Sequence, residues 1–387
     1  MLSTLVSHNE DIRRLVEKGY AVSIDNNYLV VRDIPYLDKN KTLRYGAFVT
    51  KMVVIDQKHV QIEDHQVFFC GAHPCQLDGK PIANLGGGPT ALALNSPDLK
   101  VERSFSNKPP NGFPDFFEKI ESYTNIIGGP AMSVHNVTQL TFRTQEEQGN
   151  SVFKIRDSLT SRAEIGDLNT VFKDDIIAII GLGGTGSYVL DFLAKTPVKE
   201  IRGFDGDWFH AHNAFRSPGW HGMENLGKKK AEVYGSIYES FRKGLTIKTQ
   251  YIRADSIEDM EGVTFAFVCV DKGEARSGII QLLNRMNIPY LDLGMGLDRD
   301  KGPISGILRT TYVEPDNAEK ILEKKWIPLT DPADDIYHNN IQIGELNALN
   351  ACLAVIRFKK LRGFYNDHAP FSQLLFTLDN LTNLTEP

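Results

Sequence analysis

A glycine-rich segment and a set of charged and polar side chains follow one another at short spacings. The segment GLGGTGS places Gly181, Gly183 and Gly186 in the pattern G-x-G-x-x-G. The side chains that come after it are Asp205, Asp207, Asn213, Arg216 and Lys230. A carboxylate can hold ribose hydroxyls, and fixed cations stabilise the negative charge that builds up on phosphates. These residue types therefore predict chemistry on a nucleotide.

The glycines lie between a strand candidate, IIAIIG, and a helix candidate, SYVLDFLAK. Glycine lets the backbone turn tightly and approach a phosphate, which then sits on the helix N-terminus. Asp205 follows the next strand candidate, where a ribose hydroxyl would be held. Taken alone, this arrangement leaves NAD and ATP both open, and it is also compatible with a packing turn that binds no ligand.

The elements that must position these residues suggest two domains. Residues 151–387 alternate apolar strand candidates with amphipathic helix candidates, which predicts an α/β, Rossmann-like domain with a mostly parallel sheet covered on both faces. Residues 1–150 begin with the helix candidate NEDIRRLVEKGY and continue with strand candidates and a loop-rich stretch. This pattern predicts a smaller α+β domain.

Composition excludes several classes of protein. The 387 residues are 41% hydrophobic, enough for two cores, and the net charge of −6 argues against nucleic-acid binding through overall charge. No apolar run reaches about 18 residues and no signal peptide is recognised, so we expect no membrane association and a cytoplasmic location. The four cysteines form no CxxC pair, which argues against a four-cysteine zinc site.

The ordered motifs resemble the ThiF-type adenylyltransferases, a family that is similar to the ubiquitin-activating enzymes. The matching residues are Gly181, Gly183, Gly184, Gly186 and Ser187 in the loop, Asp205 and Asp207 in D-x-D, Asn213 and Arg216 in N-x-x-R, Gly227 and Lys230 in G-x-x-K, and Asp271 with Arg276. The resemblance covers roughly residues 155–365, and it makes ATP the expected nucleotide.

The resemblance implies ATP-dependent adenylation of the C-terminal carboxylate of a ubiquitin-like protein. Pyrophosphate would leave, and the acyl group would pass to a conjugating enzyme or another acceptor in a bacterial ubiquitination-like pathway. By resemblance, Arg216 and Lys230 stabilise the phosphates, Asn213 contacts them and Asp205 holds the ribose, with Asp207 beside it. Asp271 would bind Mg²⁺.

Family dimers often receive an arginine from the partner's N-terminal helix. The segment FKIRDSLTSRAEIGDL offers Arg156 and Arg162 for this role, although a solvated helix face explains them equally well. We therefore expect a homodimer, with Arg156 as the residue that acts in trans.

Many relatives carry a cysteine that takes the acyl group as a thioester, but the corresponding segment here has none. The equivalent position falls at or near Thr330, which could form an oxyester, with Asp331, Asp334, Asp335 and His338 nearby in sequence. Direct transfer to a partner's nucleophile and transfer through Cys70 or Cys75 are the alternatives.

Other interpretations stay open. Residues 1–150 could bind a partner or substrate, or could be conjugating-enzyme-like, since GAHPCQLDGKPI faintly resembles the His-Pro segment of those enzymes. The whole chain could adenylate a small molecule or tRNA, be an inactive dimeric scaffold, or be a dinucleotide-dependent oxidoreductase. Among the flanking residues we expect Arg276 to form a structural ion pair, Lys228 and Lys229 to be solvated, and His210 and His212 not to bind metal.

Overall fold

The computed structural model describes residues 2–142, 151–155, 157, 159–160, 165–299, 302–330 and 341–387. The chain divides into two compact units, Met1–Gly166 and Asp167–Pro387, where the sequence placed the boundary after residue 150. Arg156 and Arg162 lie outside the described residues. Among the helices of the described ranges, none combines the length and apolar character needed to cross a bilayer.

The N-terminal unit is an antiparallel sheet with helices. Its helices are α1 (Leu2–His8), α2 (Glu10–Lys18) and α3 (Phe116–Val134), and its strands are β1 (Ala21–Asp25), β2 (Tyr28–Leu37), β3 (Leu43–Val54), β4 (Val60–Ile62), β5 (Gln66–Cys70), β6 (Gly88–Pro89) and β7 (Arg103–Ser106). The strand order is β1-β2-β3-β5-β7-β6, with β4 paired to β3 and all pairs antiparallel. This confirms the α+β prediction.

Sequence signals explain the two longer helices of this unit. Helix α2 buries Ile12, Leu15 and Val16 at helical spacing and ends at Gly19, whose φ of 112° is left-handed. Helix α3 begins after Asp115, whose side chain accepts a hydrogen bond from the Glu118 backbone N–H at 2.8 Å. Both helices are thus fixed by local capping as well as by burial.

One charged side chain lies in the core of this unit. Lys119 on α3 is fully buried, and its Nζ donates to Thr50 Oγ1 at 2.6 Å and to the Asp64 carbonyl at 2.9 Å. The Asp64 carboxylate lies 3.7 Å away. Burial lowers the pKa of Lys119 to about 8, against the opposing charge of Asp64.

The C-terminal unit contains an eight-stranded mixed sheet. Its strands are β8 (Ile176–Ile180), β9 (Glu200–Phe204), β10 (Leu245–Lys248), β11 (Phe265–Val268), β12 (Tyr290–Asp298), β13 (Ser305–Val313), β14 (Gln373–Thr377) and β15 (Thr382–Glu386). The order is β10-β9-β8-β11-β12-β13-β14-β15. The first five strands of this order, from β10 through β9, β8 and β11 to β12, run parallel to one another. The pairs β12–β13, β13–β14 and β14–β15 are antiparallel.

Helices surround this sheet. They are α4 (Gly166–Asn169), α5 (Gly184–Ala194), α6 (Ala211–Ala214), α7 (Lys230–Glu239), α8 (Ile257–Met260), α9 (Gly273–Arg285), α10 (Ala318–Glu323) and α11 (Gly344–Leu361). Along β8, Ile177 and Ile179 join a core with α5 and α11, whereas Ala178 and Ile180 join a core with α9 and α10. Burial on both faces explains the continuous apolar run of this strand and confirms the Rossmann-like α/β prediction.

The strand order also fixes where a ligand can bind. Chain order reverses at β8, which lies between β9 on one side and β11 on the other. Open α/β sheets bind ligands in the crevice at the carboxyl ends of the strands beside such a reversal. The loops after β8, β9 and β11, which carry most of the residues singled out above, all meet at this edge.

Candidate functional site

The glycine loop after β8 leads directly into α5. Gly181 has a φ of 93°, and a Cβ on it would lie 2.8 Å from the Cys269 carbonyl oxygen. A Cβ on Gly186 would lie 1.9 Å from the Gly181 carbonyl oxygen, so both positions require glycine. A Cβ on Gly183 would meet no described atom within 4 Å. The backbone of the loop therefore packs tightly at Gly181 and Gly186 and leaves free space at Gly183.

The start of α5 faces a cavity and lacks a side-chain cap. Gly183 is the N-cap residue, so the first backbone N–H groups of the helix are available to an anion. Gly181, Gly183 and Gly184 line the cavity. Gly186 and Ser187 do not, because they lie behind the loop, where the Ser187 hydroxyl donates to the Gly184 carbonyl at 2.8 Å.

The aspartate after β9 connects that strand to the loop. Asp205 is buried, and its carboxylate accepts from the backbone N–H of Leu182 at 2.7 Å and of Asp207 at 2.8 Å. Lys230 Nζ lies 3.6 Å from Asp205 and 2.9 Å from Asp207. The D-x-D and G-x-x-K motifs therefore meet at one point.

Tyr251, which the sequence analysis missed, completes this cluster. Its hydroxyl donates to Asp207 Oδ1 at 2.6 Å, and this bond is the main reason that the pKa of Tyr251 is raised to about 12. Burial alone would raise the pKa of Asp207, but the bonds from Tyr251 and Lys230 outweigh it and lower that pKa. The Asp207 carboxylate stays charged at the cavity wall.

Asn213 and Arg216 lie at the short helix α6, with different environments. Asn213 is buried, and its Oδ1 accepts from the His210 backbone N–H at 2.8 Å, which closes a capping box. Arg216 lines the cavity, and its buried Nε has no hydrogen-bond partner among the described residues. Burial lowers the pKa of Arg216, while the charge of Asp271 opposes the shift. A buried donor without a partner fits an anionic ligand.

Asp271 is exposed at the end of β11, at the cavity and within electrostatic reach of Arg216. The described residues contain no group of three or more potential metal ligands. Mg²⁺ in nucleotide sites is commonly held by one or two carboxylates together with substrate phosphates and water. Asp271 lines the cavity beside the phosphate site, so its carboxylate fits that mode of binding.

A buried charge triad forms part of the cavity wall. Arg276 Nε lies 3.0 Å from Asp292 Oδ1, and Arg309 donates from its NH2 group to Asp292 Oδ2 at 2.7 Å. Asp292 is fully buried, and two arginines share its single negative charge. Arg276 thus forms the ion pair expected from the sequence, whereas Arg309 was not foreseen. The triad leaves one uncompensated positive charge at the cavity.

The residues around the D-x-D motif differ partly from expectation. Lys229 is not simply solvated, because its Nζ lies 3.8 Å above the Trp208 ring and donates to the Gly206 carbonyl at 2.9 Å. The rings of His210 and His212 lie 5.7 Å apart, outside any group of potential metal ligands in the described residues.

His221 is a buried side chain that packs beneath the segment after the D-x-D motif. It is 9% exposed and packs between Phe209 and Tyr234, with ring centroids 4.8 and 6.0 Å away. Burial lowers the pKa of His221, with an opposing contribution from the Pro218 carbonyl.

The candidate acyl acceptors belong to different units, Thr330 to the C-terminal unit and the two cysteines to the N-terminal unit. Thr330 is exposed, and its backbone packs against the start of α9, where a Cβ on Gly273 would lie 2.6 Å from the Thr330 carbonyl carbon. Its sequence neighbours Asp331, Asp334, Asp335 and His338 lie outside the described residues.

The cysteines of the N-terminal unit are poorly suited to act as nucleophiles. Cys75 is buried, and burial raises its pKa. Burial also raises the pKa of Cys70, to about 11. Both thiols therefore stay protonated at neutral pH, which argues against transfer through them.

One cavity of about 2040 Å³ joins these parts. It runs along the sheet edge from β9, across β8, β11, β12 and β13, to β14. At about 4.8 Å per strand spacing, this path is about 24 Å long. Its far end lies over β12 and β13, where Gly294, Gly296 and Gly306 line it. Asn350 of α11 also faces this part.

Two family models match the chain in separate ranges. Residues 10–158 match a domain of unknown function, DUF6791, and residues 166–298 match the ThiF family. Residues 166–298 thus form a ThiF family domain, preceded by a separate N-terminal domain.

One curated relative and two solved structures illustrate the similarity. The tRNA threonylcarbamoyladenosine dehydratase of Escherichia coli (strain K12) is 26% identical over 129 residues, which span 32% of this chain and 47% of that protein. The crystal structure of PaaA has a TM-score of 0.45 at 17% identity, over 57% of this chain and 65% of that one. E. coli MccB with ATP has a TM-score of 0.42 at 18% identity, over 57% and 65%. The chain thus spans about half of the curated relative.

Proposed function

We propose that the ThiF family domain works with the rest of the C-terminal unit as an ATP-dependent adenylyltransferase. Its substrate would be the C-terminal carboxylate of a ubiquitin-like protein, and the reaction would release pyrophosphate. One observation carries this proposal: a single cavity connects the glycine loop, Arg216 and Asp271 with a glycine-lined groove over β12 and β13. A nucleotide fills the first part, and an extended chain terminus fits the second.

The residues at the first part match the needs of the reaction. The carboxylate oxygen attacks the α-phosphorus, the bond from that phosphorus to the bridging oxygen breaks, and pyrophosphate leaves with the electron pair. The start of α5 and the unpartnered Arg216 Nε stabilise the charge on the phosphates. Lys230 holds the carboxylates of Asp205 and Asp207 in place, and each Asp205 oxygen can accept a second hydrogen bond, from the ribose.

Mg²⁺, with Asp271 as its protein ligand, would neutralise phosphate charge at this site. Asn213 fixes α6 through its Oδ1 and so sets the position of Arg216. We therefore assign Asn213 to positioning, in addition to the phosphate contact implied by the family resemblance.

The second part of the cavity favours a chain terminus over a compact metabolite. A Cβ on Gly296 would meet no described atom within 4 Å, so the groove is open there to a ligand backbone. The triad of Arg276, Asp292 and Arg309 leaves a positive charge beside it, which suits an approaching carboxylate. Adenylation of a tRNA is the competing proposal, since the curated relative is named for a tRNA modification. The net charge of −6 weighs against it.

We further propose that the acyl group passes directly to a nucleophile of a partner, such as a conjugating enzyme. The raised pKa values of both thiols argue against Cys70 and Cys75, so Thr330 is the competing acceptor. Mass spectrometry after reaction with ATP distinguishes the two routes. A hydroxylamine-labile adduct on Thr330 would contradict direct transfer and indicate that the acyl group passes through an oxyester.

The proposed reaction is tested by ATP–pyrophosphate exchange. The assay contains the purified chain, ATP, labelled pyrophosphate, Mg²⁺ and one candidate ubiquitin-like protein at a time. We expect exchange with the unmodified chain and a loss of about 10²- to 10³-fold for Arg216→Ala, because a preorganised cation is removed from the developing charge. Lys228→Ala is the control: this exposed lysine lies outside the cavity, and its loss should leave the rate unchanged.

Two results would contradict the proposal. One is the absence of exchange with every ubiquitin-like candidate. The other is an equal loss of activity for the Arg216 and Lys228 variants, which would point to a general effect of charge.

A further inference from the structure

The floor of the groove contains a buried hydrogen-bond acceptor that no described residue satisfies. Asn350 on α11 is 1% exposed and lines the cavity. Its Nδ2 donates to the Gly294 carbonyl at 3.1 Å, whereas its Oδ1 has no partner among the described residues. A buried acceptor in this state is unfavourable unless a ligand donates to it.

The orientation of this amide is determined by its surroundings. Gly294 offers a carbonyl, which can only accept, so the amide atom that faces it must be the donor. Turning the amide over would place two acceptors against each other. Oδ1 is therefore the atom left for the cavity.

The strand beneath Asn350 is held on its other side as well. A Cβ on Gly294 would lie 2.7 Å from the NH2 group of Arg309, which is itself bound to Asp292. Gly294 thus contacts both Arg309 and Asn350, and the Arg309 contact leaves no room for a larger residue. The acceptor on Asn350 is fixed before any ligand arrives.

Distance argues against the nucleotide as the missing hydrogen-bond donor. Gly294 lies on β12, three strands away from β9, where Asp205 marks the proposed ribose site. Three strand spacings correspond to about 14 Å. The N–H groups of ATP belong to the adenine, beyond the ribose, whereas the acyl donor enters over β12.

We propose that Asn350 Oδ1 accepts a backbone N–H of the acyl donor and so selects a peptide C-terminus over a carboxylic acid without an amide. This inference rests on the proposed function and specifies the substrate class of the same site. Asn350 is then a specificity-determining residue, and its role concerns binding of the donor rather than of ATP.

The test uses three defined probes. They are 5′-O-sulfamoyladenosine, its glycylglycyl derivative as a mimic of a peptidyl adenylate, and the ester analogue in which oxygen replaces the N–H of the terminal glycine. Calorimetry gives the affinity of each for the full chain. We expect the unmodified protein to prefer the amide over the ester by about tenfold, the equivalent of one hydrogen bond.

Substitutions complete the cycle. Asn350→Ala should reduce the preference for the amide to less than about twofold, because the acceptor is gone. Asn347→Ala is the matched control: this buried asparagine lies one turn earlier on α11, and both of its amide atoms have protein partners. It should affect the amide and the ester alike and keep the preference.

The outcomes separate this inference from the proposed function. Equal binding of amide and ester by the unmodified protein overturns the inference alone and needs no variant. Binding of 5′-O-sulfamoyladenosine without any gain from either acyl group, or no binding of any probe, overturns the proposed acyl-adenylate site and the inference with it.

Discussion

At the scale of single residues, Asp205 shows how much one carboxylate can organise. It accepts from the backbone of the glycine loop and from the backbone of its own loop, while Lys230 lies within ion-pair distance. The family resemblance assigned Asp205 and Lys230 to one nucleotide site, with Lys230 on the phosphates, and did not foresee that the two side chains approach each other. It was also not sufficient to predict Tyr251, Arg309 or Asn350, because their roles depend on which strands become neighbours.

The buried side chain of His221 should make the stability of the fold depend on pH. Burial lowers the pKa of His221, so the folded chain holds this side chain neutral while the unfolded chain protonates it near its ordinary value of about 6.5. The unfolded state then binds more protons as the pH falls below that value. The free energy of unfolding should therefore fall as the pH decreases from 7.5 to 5.5.

His221→Phe measures the size of this effect. The variant keeps a ring between Phe209 and Tyr234 but cannot take up a proton. Urea unfolding at the two pH values should show a smaller difference for the variant than for the unmodified chain. If both lose the same stability, other groups are responsible for the pH dependence.

At the scale of elements, different glycines of the loop after β8 serve packing and ligand binding. A Cβ on Gly186 would lie 1.9 Å from the Gly181 carbonyl oxygen, whereas a Cβ on Gly183 would meet no described atom within 4 Å. Gly186→Ala should therefore lower the melting temperature, because the turn can no longer close. Gly183→Ala should melt with the unmodified chain.

Nucleotide binding should follow the opposite pattern for Gly183. The added methyl group fills the space in which a phosphate would approach the start of α5, so we expect the affinity for ATP to fall by about tenfold or more. Isothermal calorimetry with a non-hydrolysable ATP analogue gives this value. Unchanged affinity of Gly183→Ala would show that phosphates do not occupy the loop.

The sheet was predictable in its parallel part and not in its antiparallel part. Strands β8 and β11 are apolar throughout because both faces are buried, and such runs stand out in a sequence. Strand β13 instead carries Arg309, Thr310 and Thr311, which are buried or largely so. These polar side chains hide the strand pattern, and β14 and β15 after α11 were missed as well.

At the scale of the whole molecule, one exposed apolar surface bears on assembly. Phe215, Trp220 and Met223 are 88%, 87% and 86% exposed, and they lie in the chain segment that also carries Arg216. Large exposed apolar side chains within nine residues of one another in sequence can form a surface that another protein covers. We propose that a second copy of the chain covers these side chains.

This proposal predicts a change in mass in solution. Phe215→Asp should convert a dimer into a monomer in size-exclusion chromatography with light scattering, because a charge would be buried at the interface. Leu381→Asp is the control, since Leu381 is 70% exposed on the hairpin of β14 and β15. A monomeric unmodified chain at micromolar concentration would exclude the homodimer.

The buried amine of Lys119 makes the N-terminal unit a reporter of its own opening. With a pKa of about 8, a large share of this amine is unprotonated in mildly alkaline buffer, yet Lys119 is fully buried. An acylating reagent can reach it only during transient local opening, whereas Lys80, 82% exposed at its side chain, reacts freely. The ratio of the two modification rates, followed by mass spectrometry, therefore measures how often this unit opens under native conditions.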